Sequence, residues 1–381
     1  MLAQNQFVAF YDDEIDSSIH PAETVEATES EMSLVIPVSN KRIDRAGLAL
    51  ADRGTNAEDR QIARGLVEQW RASFIYPLRK VAFVLGRAAR DVDRDAIFSS
   101  RLKRMDSIVD KLRRDGNVKN LSTMQDIGGC RVVLKSCADA WELKRRWSFR
   151  DTMQGRFRDY ILDPKIDGYR GIHGVDRFKA RHPRYAAMDG RRTEIQIRTS
   201  LQHSWATSVE TVDLFAKQRL KVGEGDSRWG RFFSLSSSAF ALQEDSPIVP
   251  GTPTSAAELR GELASLWEEL DVLDQMSGWA TTVGSFPTIT SAEYTPEINR
   301  MESFLVVMDA GEKELNVTPF SEDEAVAASA AYAHEEHQIR NGKNAYAVLV
   351  SVDGVMRLHD AYPNLYADTK EFLIAIDRFI G

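Results

Sequence analysis

Between Thr193 and Thr199 the chain reads Thr-Glu-Ile-Gln-Ile-Arg-Thr. In an extended strand alternate side chains share a face, so Glu194, Gln196 and Arg198 point one way and Ile195 and Ile197 the other. A carboxylate, an amide and a guanidinium in one row can hold a metal ion, a sugar hydroxyl and a phosphate. One such strand on its own also reads as a solvated sheet face, so its neighbours decide. Upstream run Asp159-Tyr160-Ile161-Leu162-Asp163-Pro164-Lys165-Ile166-Asp167-Gly168-Tyr169-Arg170-Gly171-Ile172-His173 and Asp126-Ile127-Gly128-Gly129-Cys130-Arg131-Val132-Val133-Leu134. Arg101-Leu102-Lys103, leading into Ser107-Ile108, lies before both.

In this order and spacing the four stretches resemble the synthetase domain of the RelA/SpoT family, which makes the alarmone (p)ppGpp. The resemblance covers residues 95–215, with a looser match at Trp70-Arg71-Ala72-Ser73. It implies a Mg²⁺-dependent pyrophosphokinase that moves the pyrophosphate of ATP to the 3′-hydroxyl of GDP or GTP. Such a transfer needs a divalent ion against polyphosphate charge, a carboxylate to prepare the hydroxyl, and cationic donors for the phosphates. Mg²⁺ prefers one or two carboxylates with phosphate oxygens and water. Asp126 and Glu194 are the implied metal pair, and Glu194 also matches the residue that orients or deprotonates the ribose hydroxyl. Tyr169 matches the residue that stacks on guanine. Lys165, Arg170, His173, Gln196 and Arg198 surround the implied acceptor, and Arg101 and Arg131 match the arginines that sandwich the donor adenine. Lys103, Ser107 and Lys111, spaced by four on one helix side, form the implied triphosphate edge.

Gly171 stands where many synthetases have Ser, which leaves the acceptor open. Some small relatives are toxins that modify the 3′ end of tRNA or pyrophosphorylate adenine nucleotides, so a toxin of the same fold and chemistry is the first alternative to a small alarmone synthetase. A catalytically silent nucleotide-binding regulator is the alternative from another class. No His-Asp pair precedes the synthetase block, so alarmone hydrolysis is not expected. Many small relatives assemble as oligomers, which leaves a homo-oligomer open for this chain, although no stripe of its sequence identifies the interface.

The charge is divided in blocks. The first 40 residues hold eight acids and no Lys or Arg, residues 41–240 hold 41 basic and 25 acidic residues, and residues 241–381 hold 8 and 24. A basic block suits polyphosphate or nucleic acid, and charge alone does not choose between them. No apolar run reaches the ~18–20 residues of a membrane span, and the acidic start does not read as a secretory signal. The two cysteines, Cys130 and Cys137, are too few for a disulfide scaffold. A cytoplasmic protein without membrane contact is the simplest expectation.

The elements that must position these residues read as an α/β fold of the α+β type. The resemblance implies a nucleotidyltransferase-like mixed sheet flanked by helices. Residues 1–40 read as a largely disordered acidic tail, 41–240 as the synthetase domain with N-terminal helices, 241–299 as linker and helix, and 300–381 as a small acidic α/β accessory domain. Expected helices span Ala57–Arg90 with a break near Tyr76-Pro77, Arg101–Arg114, Ala138–Arg146, Leu201–Ala216, Ala256–Gln275, Glu322–Ile339 and Asp368–Ile380. Expected strands are Val35–Pro37, Arg131–Leu134, Phe157–Leu162, Gly174–Ala180, Thr193–Thr199, Phe304–Met308 and Ala345–Val352. Pro247, Pro250, Gly251 and Pro253 read as a linker and Thr281–Pro296 as irregular. His334-Glu335-Glu336-His337 has its histidines three apart, not the zinc spacing of four, and reads as an exposed helix face. Lys144-Arg145-Arg146-Trp147 reads as a solvated helix end.

Overall fold

A computed structural model describes residues 38–113, 120–215, 227–273, 276, 303–309, 314–343, 345–352 and 370–381. The expected strand at Val35–Pro37, the irregular stretch Thr281–Pro296 and nearly all of the acidic tail lie outside them. The helices are α1 (Asn40–Ala51), α2 (Ala57–Ala72), α3 (Ile75–Val92), α4 (Met105–Arg113), α5 (Cys137–Ser148), α6 (Ser200–Phe215), α7 (Ser227–Gln243), α8 (Ala256–Glu269), α9 (Ala325–Arg340) and α10 (Lys370–Ile380). The strands are β1 (Ile97–Leu102), β2 (Gly128–Leu134), β3 (Arg158–Asp159), β4 (Ile172–Arg177), β5 (Arg192–Thr199), β6 (Ser303–Asp309), β7 (Glu314–Phe320) and β8 (Ala345–Val352).

All eight strands form one mixed sheet in the order β3-β4-β5-β2-β1-β8-β6-β7. β2 and β5 run parallel, and the other pairings are antiparallel. The apolar alternates of the central strands, among them Phe98, Cys130, Val132, Ile195 and Ile197, are buried in one core with α1–α5. Burying each such side chain contributes about 1.5–3 kcal/mol, which is what holds the opposite, polar face in register. A second core of Trp205, Phe232, Phe233, Phe240 and Phe372 joins α6, α7, α8 and α10.

Several expectations shift. The break after α2 falls at Ser73–Phe74, and Pro77 sits in the first turn of α3, where its missing N–H costs nothing. Arg101 and Leu102 belong to β1 rather than to a helix, because β1 pairs residue by residue with β2, and the helix begins only at Met105. The expected strand Phe157–Leu162 shrinks to Arg158–Asp159, since Asp159 turns its carboxylate onto the Ile161 and Leu162 N–H groups and closes the turn. The Pro-rich stretch after α7 is packed rather than loose: Val249 is buried and its N–H donates to Ser238 Oγ at 2.9 Å.

The C-terminal segment is not a detached body. β8 extends the central sheet by pairing Val350, Ser351 and Val352 with Arg101, Ser100 and Ser99. Phe372, Leu373 and Ile376 of α10 enter the second core.

Candidate functional site

Register assembles the site. Arg101, Gly129, Glu194 and Val175 form one row across β1, β2, β5 and β4, and Ser99, Arg131, Gln196 and His173 form the next. Partners in register share a face, so Arg101, Arg131, Glu194, Gln196 and His173 stand on the same side of the sheet. Between Arg101 and Glu194 comes Gly129, where an added Cβ would meet nothing nearer than the Arg101 carbonyl at 4.0 Å. The row therefore contains a notch beside the Glu194 carboxylate.

Asp126, two residues ahead of β2, is gripped by Lys103 Nζ at 3.0 Å and Lys111 Nζ at 2.9 Å, both on Oδ2. Burial pushes its carboxyl up, but the two ammonium groups outweigh burial and hold it below the usual carboxylate range. Burial likewise pulls the Lys103 ammonium down, against the pull of Asp126. Asp126 Oδ1 is buried and has no hydrogen-bond partner. A buried carboxylate oxygen without a donor is costly unless a cation completes it, and this one lies close enough to Glu194 for the two carboxylates to repel. That donor set, two oxygen-bearing acids beside a notch, fits a hard divalent ion.

Glu194 heads a chain of polar contacts. Its Oε1 lies 3.1 Å from His173 Nδ1, and its Oε2 accepts from Gln196 Nε2 at 3.1 Å. His173 Nε2 meets the Tyr169 hydroxyl, which also accepts from Arg198 Nη2 at 3.0 Å. Burial raises the Glu194 carboxyl, yet the His173 contact lowers it further, so it is ionised at neutral pH. Burial lowers the His173 imidazole, and Tyr169 and Glu194 together carry it above its ordinary value.

Tyr169 is not the exposed loop aromatic that its polar neighbours suggest. The ring is half-buried and packs against the second core. It stands edge-on to Tyr160 and His173, and Lys165 Nζ lies 4.9 Å from its centroid. Burial pushes the phenol up, while the Arg198 guanidinium and His173 outweigh burial and pull it down to about 8. With the folded pKa depressed, the stabilisation is complete above the unfolded value near 10 and is lost as pH falls through about 8. One tyrosine should accordingly give its tyrosinate absorbance with a midpoint near pH 8, and that step should vanish in Tyr169→Phe.

Glycines shape this loop. Gly168 has φ +94°, and a Cβ there would lie 2.8 Å from the Trp205 ring and 3.0 Å from the Phe233 carbonyl. Gly168→Ala should destabilise the protein by about 2–3 kcal/mol, from left-handed strain plus overpacking, read as a lower urea midpoint. At Gly171 a Cβ would crowd Arg198 Cγ at 3.2 Å and the Tyr169 hydroxyl at 3.4 Å. The absence of Ser at this position gives the Arg198–Tyr169 contact its room.

Arg170 goes elsewhere. It is 2% exposed and donates through Nη1 to Glu244 Oε2 at 2.9 Å and through Nη2 to Ser246 Oγ. Glu244 also takes Gln202 Nε2 at 2.9 Å and the Thr199 hydroxyl. Arg170 thus ties the loop to the end of α7, away from the acceptor position expected of it. Lys165 is exposed and Arg131 is buried, while Ser107 stands with Lys111 on α4.

Two residues outside the motifs matter. Glu244 escapes sequence reasoning because nothing local links it to Arg170, 74 positions away. Glu336, read as part of an exposed helix face, is buried: Oε1 accepts the Met105 N–H at 2.7 Å, and Oε2 lies 3.4 Å from Arg71 Nη1. Its flanking histidines are exposed, and among the described residues no group of three or more His, Cys, Asp or Glu could hold a metal. Lys144 pairs with Asp159 at 2.7 Å and Arg145 and Arg146 with Glu142, so that basic run is spent on its own surroundings. Among the described residues no helix is long and apolar enough to cross a membrane.

Residues 100–216, which hold both carboxylates, both lysines and the Tyr169 loop, match the model of the region found in RelA/SpoT proteins. The chain carries a RelA/SpoT domain. Over 111 residues it is 34% identical to the probable chloroplastic GTP diphosphokinase RSH2 of Oryza sativa subsp. japonica, covering 28% of this chain and 13% of that protein. Over 116 residues it is 31% identical to the GTP pyrophosphokinase YwaC of Bacillus subtilis (strain 168), covering 28% of this chain and 53% of that one. The chain thus spans about an eighth and about half of the lengths of these two relatives. Among solved structures, a GTP pyrophosphokinase family protein from Streptococcus pneumoniae is 26% identical, covering 47% of this chain and 88% of that one at a TM-score of 0.38. Small alarmone synthetase 1 from Bacillus subtilis, bound to its product pppGpp, is 23% identical, covering 47% and 94% at a TM-score of 0.40. The RelA/SpoT match ends before α7, so Glu244 and Glu336 are contributions from outside the matched region.

Proposed function

We propose that the chain is a pyrophosphokinase that transfers the pyrophosphate of ATP to the 3′-hydroxyl of GDP or GTP, with Mg²⁺ held between Asp126 and Glu194. The observation that carries this reading is the pair of ionised carboxylates at a notch, one bearing a buried oxygen without a donor and flanked by two lysines. Bound there, the ion would offset polyphosphate charge during the transfer. Lys103 and Lys111 sit within reach of both Asp126 and any phosphate above it, and Ser107 adds a hydroxyl on the same helix. Arg101 and Arg131 supply planar guanidinium groups at the donor end of the two rows, where lysine could not stack. Glu194 lines up the acceptor hydroxyl. His173, hydrogen-bonded to Glu194, keeps the carboxylate oriented and accommodates the proton that the hydroxyl gives up. Gln196 and Arg198 extend the row toward the acceptor, and Tyr169 and Lys165 offer it a ring and a charge.

The test is incubation of purified protein with Mg²⁺ and ATP labelled on the γ-phosphate, alongside GDP, GTP, AMP and deacylated tRNA. Label on the guanine nucleotides supports the reading. Label only on tRNA or AMP would move the same chemistry to another acceptor. No label on any acceptor would sink the enzymatic reading in favour of a nucleotide-binding regulator.

A further inference from the structure

A polar cleft of about 100 Å³ opens at the N-terminal end of β5, lined by Arg177, Arg191, Arg192, Trp70, Asn40 and Ser122. Arg177 and Arg192 are register partners on β4 and β5, so the two guanidinium groups leave the sheet side by side. Arg191, the residue before β5, rests on the Trp70 and Phe74 rings at 5.7 and 5.4 Å. All three arginines line this one cleft.

Their hydrogen bonds go to neutral acceptors. Arg191 donates to Ser73 Oγ at 2.6 Å and to the Ala187 carbonyl at 3.2 Å. Arg192 donates to Gln154 Oε1 at 2.9 Å and to the Ser122 carbonyl at 3.4 Å. The one carboxylate in the lining, Asp189, accepts the Ala180 N–H at 2.8 Å. Elsewhere in this chain arginines find acids within 4 Å, as Arg170, Arg231 and Arg145 do. Asp189 attracts Arg191, while Arg177 and Arg192 repel each other. Three guanidinium groups facing one carboxylate cost free energy that a bound anion would recover. Trp70 adds an independent sign: it is 3% exposed, and its indole N–H, a donor in the wall of this cleft, has no acceptor.

We propose that this cleft is a second oxyanion site, taking a phosphate or pyrophosphate group apart from the triphosphate edge formed by Lys103, Ser107 and Lys111. Planar guanidinium forks suit such groups by bidentate contact. The site shares β5 with Glu194, two residues away, and Ser122 lies on the segment leading to Asp126. A ligand here would press on the backbone that sets both carboxylates. The phosphate could arrive as a free polyphosphate or as the tail of a nucleotide, and the chemistry of the cleft is common to both.

Direct binding to the full chain tests this, in Mg²⁺-free buffer so that the carboxylate pair gains no ion. Pyrophosphate, triphosphate, GTP, ATP and guanosine would be titrated by calorimetry. The phosphorylated ligands should bind and guanosine should not. Glu194→Gln should leave binding intact, which separates this site from the proposed activity. Replacing Arg177 and Arg192 together by Gln should weaken pyrophosphate binding roughly tenfold per arginine, whereas Lys103→Gln with Lys111→Gln, which alters the triphosphate edge, should leave the protection that pyrophosphate gives residues 189–192 unchanged. Equal affinity for pyrophosphate and GTP would assign a free polyphosphate, and tighter GTP a nucleotide. Because the arginine pair also supports the hairpin, amide exchange in the unaltered protein provides a second reading: pyrophosphate should slow exchange at residues 189–192. Binding abolished by the lysine pair and untouched by the arginine pair, or no protection at 189–192, would overturn the proposal.

Discussion

Glu194→Gln lowers turnover of the proposed reaction by about 10²–10⁴-fold, while ATP and guanine nucleotide still bind. Gln keeps the shape of the side chain and can still meet His173 and Gln196. What it loses is the charge: one of two carboxylates at the notch, and the only one hydrogen-bonded to His173 Nδ1. The carboxyl lies below its ordinary pKa, so Glu194 is ionised without being a strong base. Most of the loss should therefore appear in kcat, through a misdirected hydroxyl and a weakened metal site, rather than in nucleotide affinity. Asp126→Asn should act differently. It frees Lys103 and Lys111 from their shared partner and should raise ATP affinity in Mg²⁺-free buffer even as turnover falls. Single-turnover rates and binding titrations with the two variants distinguish these outcomes. A Glu194→Gln protein within tenfold of the parent rate would remove Glu194 from the chemistry.

Glu336→Ala should cost about 3 kcal/mol and loosen the donor edge. Removing one partner of a buried charged pair leaves the other uncompensated, which is the expensive case. Here Arg71 is 3% exposed and would keep only its stacking on Tyr332, at 4.7 Å. The Met105 N–H at the start of α4 would lose its acceptor, and the favourable charge at the helix N-terminus would go with it. Since Ser107 and Lys111 ride on α4, the KM for ATP should rise more than the KM for the acceptor. Denaturant unfolding reads the first effect and steady-state kinetics the second. Glu336→Gln, which keeps an acceptor for Met105, should recover part of the stability. If a variant falls in stability while the KM for ATP is unchanged, the contact is structural only.

The polar face of β5 was legible in the sequence because period-two alternation needs no tertiary information, and the structure carries Glu194, Gln196 and Arg198 there with their partners beside them. The Gly128-Gly129 pair, which opens β2, and the loop around Tyr169 were legible as breaks in pattern. Arg101 was assigned to a helix because Leu102 and Met105 continue a helical stripe, and only pairing with β2 and β8 reveals the strand. α7 was invisible for the opposite reason: it is buried on nearly every side, so it shows no polar stripe for periodicity to pick out. Arg170 and Glu336 illustrate what pattern cannot supply. One looks like a phosphate ligand and serves as an internal tie, the other looks solvated and serves as a buried anchor, and in both cases the deciding partner is distant in sequence.

The pairing of β1 with β8 also sets an order of events at the ribosome. Met105 and Glu336 are 231 residues apart, and at about 5–20 residues per second that interval lasts roughly 10–45 s. In the later part of it, once residue 216 has been made, the RelA/SpoT domain stands with one edge of its central sheet unpaired, an open template for strand addition. A nascent chain in that state has α4 uncapped and its sheet incomplete, so the finished candidate site is a late event of synthesis. Shortening the protein from its C-terminal side would make that interim state permanent, and such fragments should aggregate rather than report an unregulated domain.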